Sequence, residues 1–353
     1  MLPAMPDARL AAAQRLFSPE GAYLNTATYG LPPRTAMEAM AAATDEWRHG
    51  RTGFDGWDRS VGAARASFAR LAGVAPGDVA IGSAVSAFAG LVAAALPDGA
   101  RVLCVEGDFT SVLFPFLAQE RRGVTVELVP LERLTEALGP QHDVVAVSAA
   151  QSADGRLADL AALTAAAAAH DVRTFVDTTQ AMGWLPLDCS RFDYTACSAY
   201  KWLLSPRGTS FFTLRPERRD DLIPHAAGWY AGEDVPASYY GAPLRLAEDA
   251  RRFDLSPAWL SFVAAAQSLA LLEDVGIETI HAHDVALAAR LAEGLGLPAT
   301  GTAFVSVGDL PEDAAERLRD AGVMAAGRGG ALRLSCHLYT TPAHVDRALE
   351  VLT

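Results

Sequence analysis

The chain has 353 residues, of which 51% are apolar and 20% charged; this excludes a disordered chain and leaves room for two domains. Acidic residues outnumber basic ones, 42 to 29, for a formal charge of −13. No basic cluster offsets that excess, so neither nucleic acid nor a membrane surface is an expected partner, although a local pocket could still hold a small anion.

In chain order, residues 1–20 have the apolar spacing of an amphipathic helix, and 21–33 read as an irregular loop. Helical periodicity returns over 34–50 and 57–73. A short strand at 78–81 ends in Gly82-Ser83 and leads into an Ala/Leu/Phe-rich helix to about residue 96. Strands follow at 101–106, 124–129 and 143–148, then a helix at 157–170 and strands at 172–177 and 194–198. Short apolar strands alternating with helices predict an α/β fold, its mostly parallel sheet sandwiched by helices. Beyond about residue 250 the rhythm changes. A long helix (257–275), a second helix (280–295) and short strands near 303–307 and 331–335 precede a last helix, with Thr341 as N-cap and Pro342 at its first position. This change predicts a large domain over 30–248 and a smaller α+β domain from 1–29 and 249–353. The site is then expected at the carboxyl ends of the large domain's strands, facing the small one.

Cys104, Cys189, Cys197 and Cys336 lie scattered in apolar segments without zinc spacing, and His281 and His283 are too close to share a helix face. No metal site is expected. The N-terminus lacks a signal-like apolar region, and no apolar run reaches the ~18 residues of a membrane span, so a cytoplasmic protein is expected.

Two residues carry the chemical argument. Asp177 closes the apolar strand 172–177, and Lys201 follows the strand 194–198 within Ser198-Ala199-Tyr200-Lys201-Trp202. A lysine in such a setting is costly unless it is used. An acid at one strand end and a lysine one strand over are what a pyridoxal phosphate enzyme needs: an amine to form an imine with the aldehyde, and a carboxylate to keep the ring nitrogen protonated. Gly82-Ser83-Ala84-Val85-Ser86, between a strand and a helix, offers free N–H groups to a phosphate, at Ser83, Ala84 and Val85.

Taken in order, these motifs resemble the class V branch of the fold-type I pyridoxal phosphate-dependent enzymes, which includes aminotransferases, cysteine desulfurases, kynureninases and isopenicillin N epimerase-like proteins. The likeness starts at Tyr23-Leu24-Asn25-Thr26-Ala27-Thr28-Tyr29-Gly30 and runs to Leu332-Arg333-Leu334-Ser335 with Tyr339-Thr340-Thr341. It implies that Lys201 carries the cofactor, Asp177 pairs with its ring nitrogen, and Gln180 and Gln151 lie at the ring hydroxyl. Phe109 would stack on the ring, while Ser198 and Tyr200 would hold the phosphate. Thr209 lies in a turn that would reach towards the partner subunit's phosphate in a homodimer. Asn25, Trp229 and Arg333 would contact a small amino-acid substrate, with Arg333 gripping its α-carboxylate. Residues 324–331 hold no cysteine where a desulfurase carries its nucleophile. The resemblance therefore implies an aminotransferase first, then a C–S lyase (β-elimination) or desulfurase-like enzyme or an epimerase, and, from another class, a catalytically silent binding protein.

Overall fold

The computed structural model describes residues 8–353. Its elements in chain order are α1 (Ala8–Gln14), β1 (Ala22–Tyr23), α2 (Arg34–Arg48), α3 (Phe54–Ala72), β2 (Val79–Gly82), α4 (Val85–Ala95), β3 (Arg101–Val105), α5 (Thr110–Leu117), β4 (Thr125–Val129), α6 (Leu134–Ala137), β5 (Val144–Ser148), α7 (Leu160–His170), β6 (Arg173–Asp177), β7 (Tyr194–Ser198) and β8 (Ser210–Leu214). They continue with α8 (Trp259–Val275), α9 (Ile277–Gly294), β9 (Phe304–Val307), α10 (Ala314–Asp320), β10 (Val323–Met324), β11 (Ala326–Arg328), β12 (Ala331–Ser335) and α11 (Pro342–Leu352).

Seven strands form the main sheet in the order β2-β8-β7-β6-β5-β3-β4. Pairing is parallel from β7 through β4, and β8 runs antiparallel to both β2 and β7. Every residue of β5, β7 and β8 is buried, as expected of strands covered on both faces. A second sheet, β11-β12-β9, is antiparallel, and β1 pairs with β10. Helix α8 packs against α2 and α3. Among the described residues no single helix is long and apolar enough to cross a membrane.

The strands predicted from the sequence lie within a residue or two of those observed, and Thr341 caps α11 as expected, in a reciprocal pair with His344. The predicted helix over 1–20 is shorter: α1 covers Ala8–Gln14, and residues 1–7 lie outside the described residues. Seven elements were not anticipated. β8 is a buried strand after a turn, α5 tolerates Pro115 inside its eight residues, α10 lies between loops, and β1, α6, β10 and β11 span only two to four residues each.

Candidate active site

The carboxyl ends of β2, β5, β6 and β7 surround a cavity of about 280 Å³ walled by Ser83, Ala84, Val85, Phe109, Asp177, Gln180, Ser198, Tyr200 and Lys201. Nine of the positions singled out in the sequence therefore meet at one place. Lys201 is only 5% exposed, and among the described residues its ammonium meets no hydrogen-bond acceptor. Nζ lies 5.4 Å from the Phe109 ring centroid and 5.6 Å from that of Tyr200. Burial pushes its pKa down to about 8, against the pull of Asp177, and Arg333 and Arg328 push the same way as burial. Lys201 is also the sole lysine in the sequence. That signal was available from composition alone: the rest of the 29 lysines and arginines are arginine, whose pKa is too high to serve as a neutral amine.

Asp177 is 5% exposed and accepts the Thr179 N–H at 2.8 Å. Burial raises it to about 6, while the Thr179 bonds and Lys201 pull it down. The Thr179 hydroxyl accepts the Ser198 N–H at 2.9 Å, tying the end of β6 to that of β7 and setting Asp177 and Lys201 on neighbouring strand ends. Helix α4 begins at Val85 with no side-chain cap, so its first N–H groups face the cavity wall at Ser83 and Ala84.

The lysine's turn is fixed from three sides. Gly30 donates its N–H to the Tyr200 carbonyl at 2.9 Å, and a Cβ there would lie 1.9 Å from the Lys201 carbonyl oxygen. Trp202 Nε1 donates to Gln180 Oε1 at 2.8 Å. Behind it, His337 places Nε2 3.0 Å from the Trp202 carbonyl and Nδ1 2.8 Å from Asp284, with both side chains fully buried. Both ring nitrogens lie within hydrogen-bond distance of an oxygen. Replacing His337 with Ala would leave the Asp284 carboxylate buried without its partner, so we expect a loss of about 3–5 kcal/mol in denaturant unfolding.

Arg333 is 1% exposed, and its fork donates to the Ser152 carbonyl and, at 2.9 Å, to the Thr28 hydroxyl. Nε has no partner, and among the described residues no carboxylate pairs with it. Burial, helped by Arg328, lowers its pKa to about 10. Such a guanidinium is built to receive an anion. Ser152 lines the cavity and links Arg333 to Gln180, whose Nε2 lies 3.0 Å from the Ser152 hydroxyl and from the Ala27 carbonyl.

Besides Arg333, which meets the wall through Ser152, four expected positions lie off it. Gln151 turns its amide towards Asp108 and the Ser148 carbonyl. Thr209 is fully buried and donates to the Pro206 carbonyl, whereas Arg207 and Gly208 beside it line the cavity. Trp229 packs in an aromatic cluster with Tyr230, Tyr239 and Trp259. Asn25 bridges to Ser335 and leaves Oδ1 unpartnered. The sequence reading did not single out Ser111, Ser148, Ser152 and Thr179, which line the cavity. Serine and threonine carry little signal until their neighbours are known.

An amine, a buried carboxylate beyond it and an uncapped helix start match the aldehyde, ring nitrogen and phosphate of pyridoxal phosphate, so the donor set fits that cofactor. The Aminotransferase class-V model matches residues 78–306. The uncharacterized aminotransferase YcbU of Bacillus subtilis is 29% identical over 81% of each chain. Isopenicillin N epimerase of Streptomyces clavuligerus is 30% identical over 99% of each. A mutant of C-DES, with glycine covalently linked to its PLP cofactor, superposes with a TM-score of 0.88 at 22% identity over 99% of both chains. The chain belongs to the aminotransferase class-V family of pyridoxal phosphate-dependent enzymes.

Proposed function

We propose that this enzyme is an aminotransferase acting on a small α-amino acid. The observation that carries the reading is the pairing of one enclosed amine, Lys201, with an enclosed arginine, Arg333, that lacks a carboxylate partner. Pyridoxal phosphate, when bound, supplies an electron sink for the substrate's α-carbon. Lys201, with its amine pKa near 8, accepts the α-proton and returns it. Asp177 stabilises a cationic ring nitrogen, and Arg333 fixes the substrate carboxylate by a two-point contact. The cysteines give no support to a persulfide carrier. All four are fully enclosed, and burial pushes every thiol pKa upward.

Incubation with L-amino acids and a 2-oxo acid tests the reading. Keto-acid exchange without release of ammonia or sulfide is expected, and exchange failing with every pair would overturn it. The second reading, C–S bond cleavage by β-elimination, draws on the full-length likeness to C-DES, described as a cystine C-S lyase. It predicts pyruvate, ammonia and cysteine persulfide from cystine.

Replacing Arg333 with Ala should raise KM by the equivalent of about 2–5 kcal/mol, because a charge-assisted pair is lost from an enclosed site. Lysine at 333 should rescue little, since an ammonium cannot make the same planar contact. Steady-state kinetics on amino acids and on amines without a carboxylate separate this effect from general damage.

The same reading includes a homodimer. Tyr240 (88% exposed), Leu244 (77%) and Ile223 (68%) lie in one segment that presents apolar surface for burial. Light scattering showing an active monomer would remove that part.

A further inference from the structure

Beside Arg333 lies a second arginine that the site described so far does not use. Strands β11 and β12 form a hairpin whose tip, Gly329-Gly330, has φ of +56° and +82°. Positive φ at both loop positions is the signature of a tight two-residue turn, which glycine adopts without strain. The turn sets the register: Arg328 pairs with Ala331, and Ala326 with Arg333. Directly opposed residues of an antiparallel pair share a face, so Arg328 and Arg333 lie on the same face as diagonal neighbours. Diagonal Cβ atoms stand roughly 7–8 Å apart, within reach of long side chains.

That face borders the cavity wall, because Arg333 donates to the carbonyl of Ser152, which lines the cavity. The Arg328 charge is felt at Lys201, Arg333 and Tyr200, in each case lowering the pKa. Among the described residues its side chain makes a single hydrogen bond, to the adjacent Gly327 carbonyl at 3.4 Å, and forms no ion pair. Of the other arginines nearby, Arg251 pairs with Asp249 and Glu233 and Arg252 with Asp220, while Arg207 in the cavity lining stacks its guanidinium 4.3 Å from the Tyr200 ring centroid. Two like charges on one sheet face repel, and an anion held between them would remove that cost. One carboxylate satisfies Arg333, which leaves Arg328 for another.

We propose that Arg328 reads a second anionic group on the substrate, so that the enzyme selects amino acids with a side-chain carboxylate. The inference rests on the reading of Arg333 as the α-carboxylate site. It adds a specificity residue on an exposed hairpin to a clamp that is itself enclosed.

The test uses holoenzyme and two non-reacting ligands, glutarate and butyrate, titrated calorimetrically into wild type, Arg328→Gln, Arg328→Glu and Arg333→Gln. Wild type is expected to bind glutarate about tenfold or more tighter than butyrate, as a second charge-assisted contact allows. Arg328→Gln should erase most of that preference, and Arg328→Glu should reverse it. The ratio of kcat/KM for glutamate over glutamine should fall in parallel. Wild type that binds the two ligands equally, or an Arg328→Gln enzyme that keeps the wild-type preference, overturns the inference. Arg333→Gln that retains butyrate affinity overturns the α-carboxylate reading instead. The two failures are therefore separable. Because Arg328 is exposed on a turn whose glycines set the geometry, neither variant removes a packed side chain.

Discussion

Replacing Lys201 with Ala is expected to lower turnover by about 10⁴-fold or more, because one amine serves as both covalent anchor and proton carrier. The expectation is unusually clean in this chain. With no other lysine in the sequence, the variant has no ε-amine left to substitute. Borohydride treatment of the wild-type holoenzyme should fix the cofactor on a single peptide containing residue 201, read by mass spectrometry, and on none in the variant. The fold should survive, since removing an ammonium that is 5% exposed and without an acceptor relieves a desolvation cost. Turnover within tenfold of wild type, together with an unaltered cofactor absorbance, would reject Lys201 as the reacting group. The reactivity of the amine should also follow pH. Because burial lowers its pKa to about 8, trapping by an aldehyde in cofactor-free protein should rise through pH 8, whereas an exposed lysine would rise near 10.

What the sequence revealed follows from what each element is made of. The parallel strands are runs of Val, Ala, Leu and Phe bounded by Gly, Asp or Ser, so they were readable one by one and their ends fell at Asp177 and Ser198. β8 was not readable because its direction depends on pairing: Ser210 lies opposite Ser198 and Gly82, across strands far apart in the chain. Lys201 and Asp177 announced themselves as charges in apolar surroundings. Gln151 and Thr209 were placed by likeness of motif. Their side chains went elsewhere because nearer partners, Asp108 and the Pro206 carbonyl, take their hydrogen bonds. The pair His337 and Asp284 was invisible for a different reason. It joins α9 to the segment after β12, and neither residue sits in a pattern that forecasts the other. Arg328 was visible only as one of several arginines, until the hairpin register put it on the face of Arg333.

Asp177→Asn is expected to separate stability from function. A carboxylate that holds a cationic ring nitrogen acts where charge develops, so its loss should lower kcat on the order of 10³-fold with cofactor still bound. In cofactor-free protein the same change should stabilise. Burial raises the Asp177 pKa from its ordinary value to about 6, so between about pH 4 and pH 6 the folded state holds a proton that the unfolded state has released. The stability this gives is full below the unfolded pKa and lost as pH rises through the folded one. At pH 7 the wild type carries an ionised carboxylate in an enclosed site, whereas Asn resembles the protonated form at every pH. The variant's advantage in chemical denaturation should thus be near zero at pH 4, open through pH 6 and level off at about 2–3 kcal/mol above it. Adding pyridoxal phosphate should close the gap in favour of wild type, since a cation beside Asp177 makes the ionised form the stable one. An advantage that is constant from pH 4 to pH 8 would show that Asp177 gains nothing from its proton, and a variant with wild-type kcat would show that its charge does no chemical work.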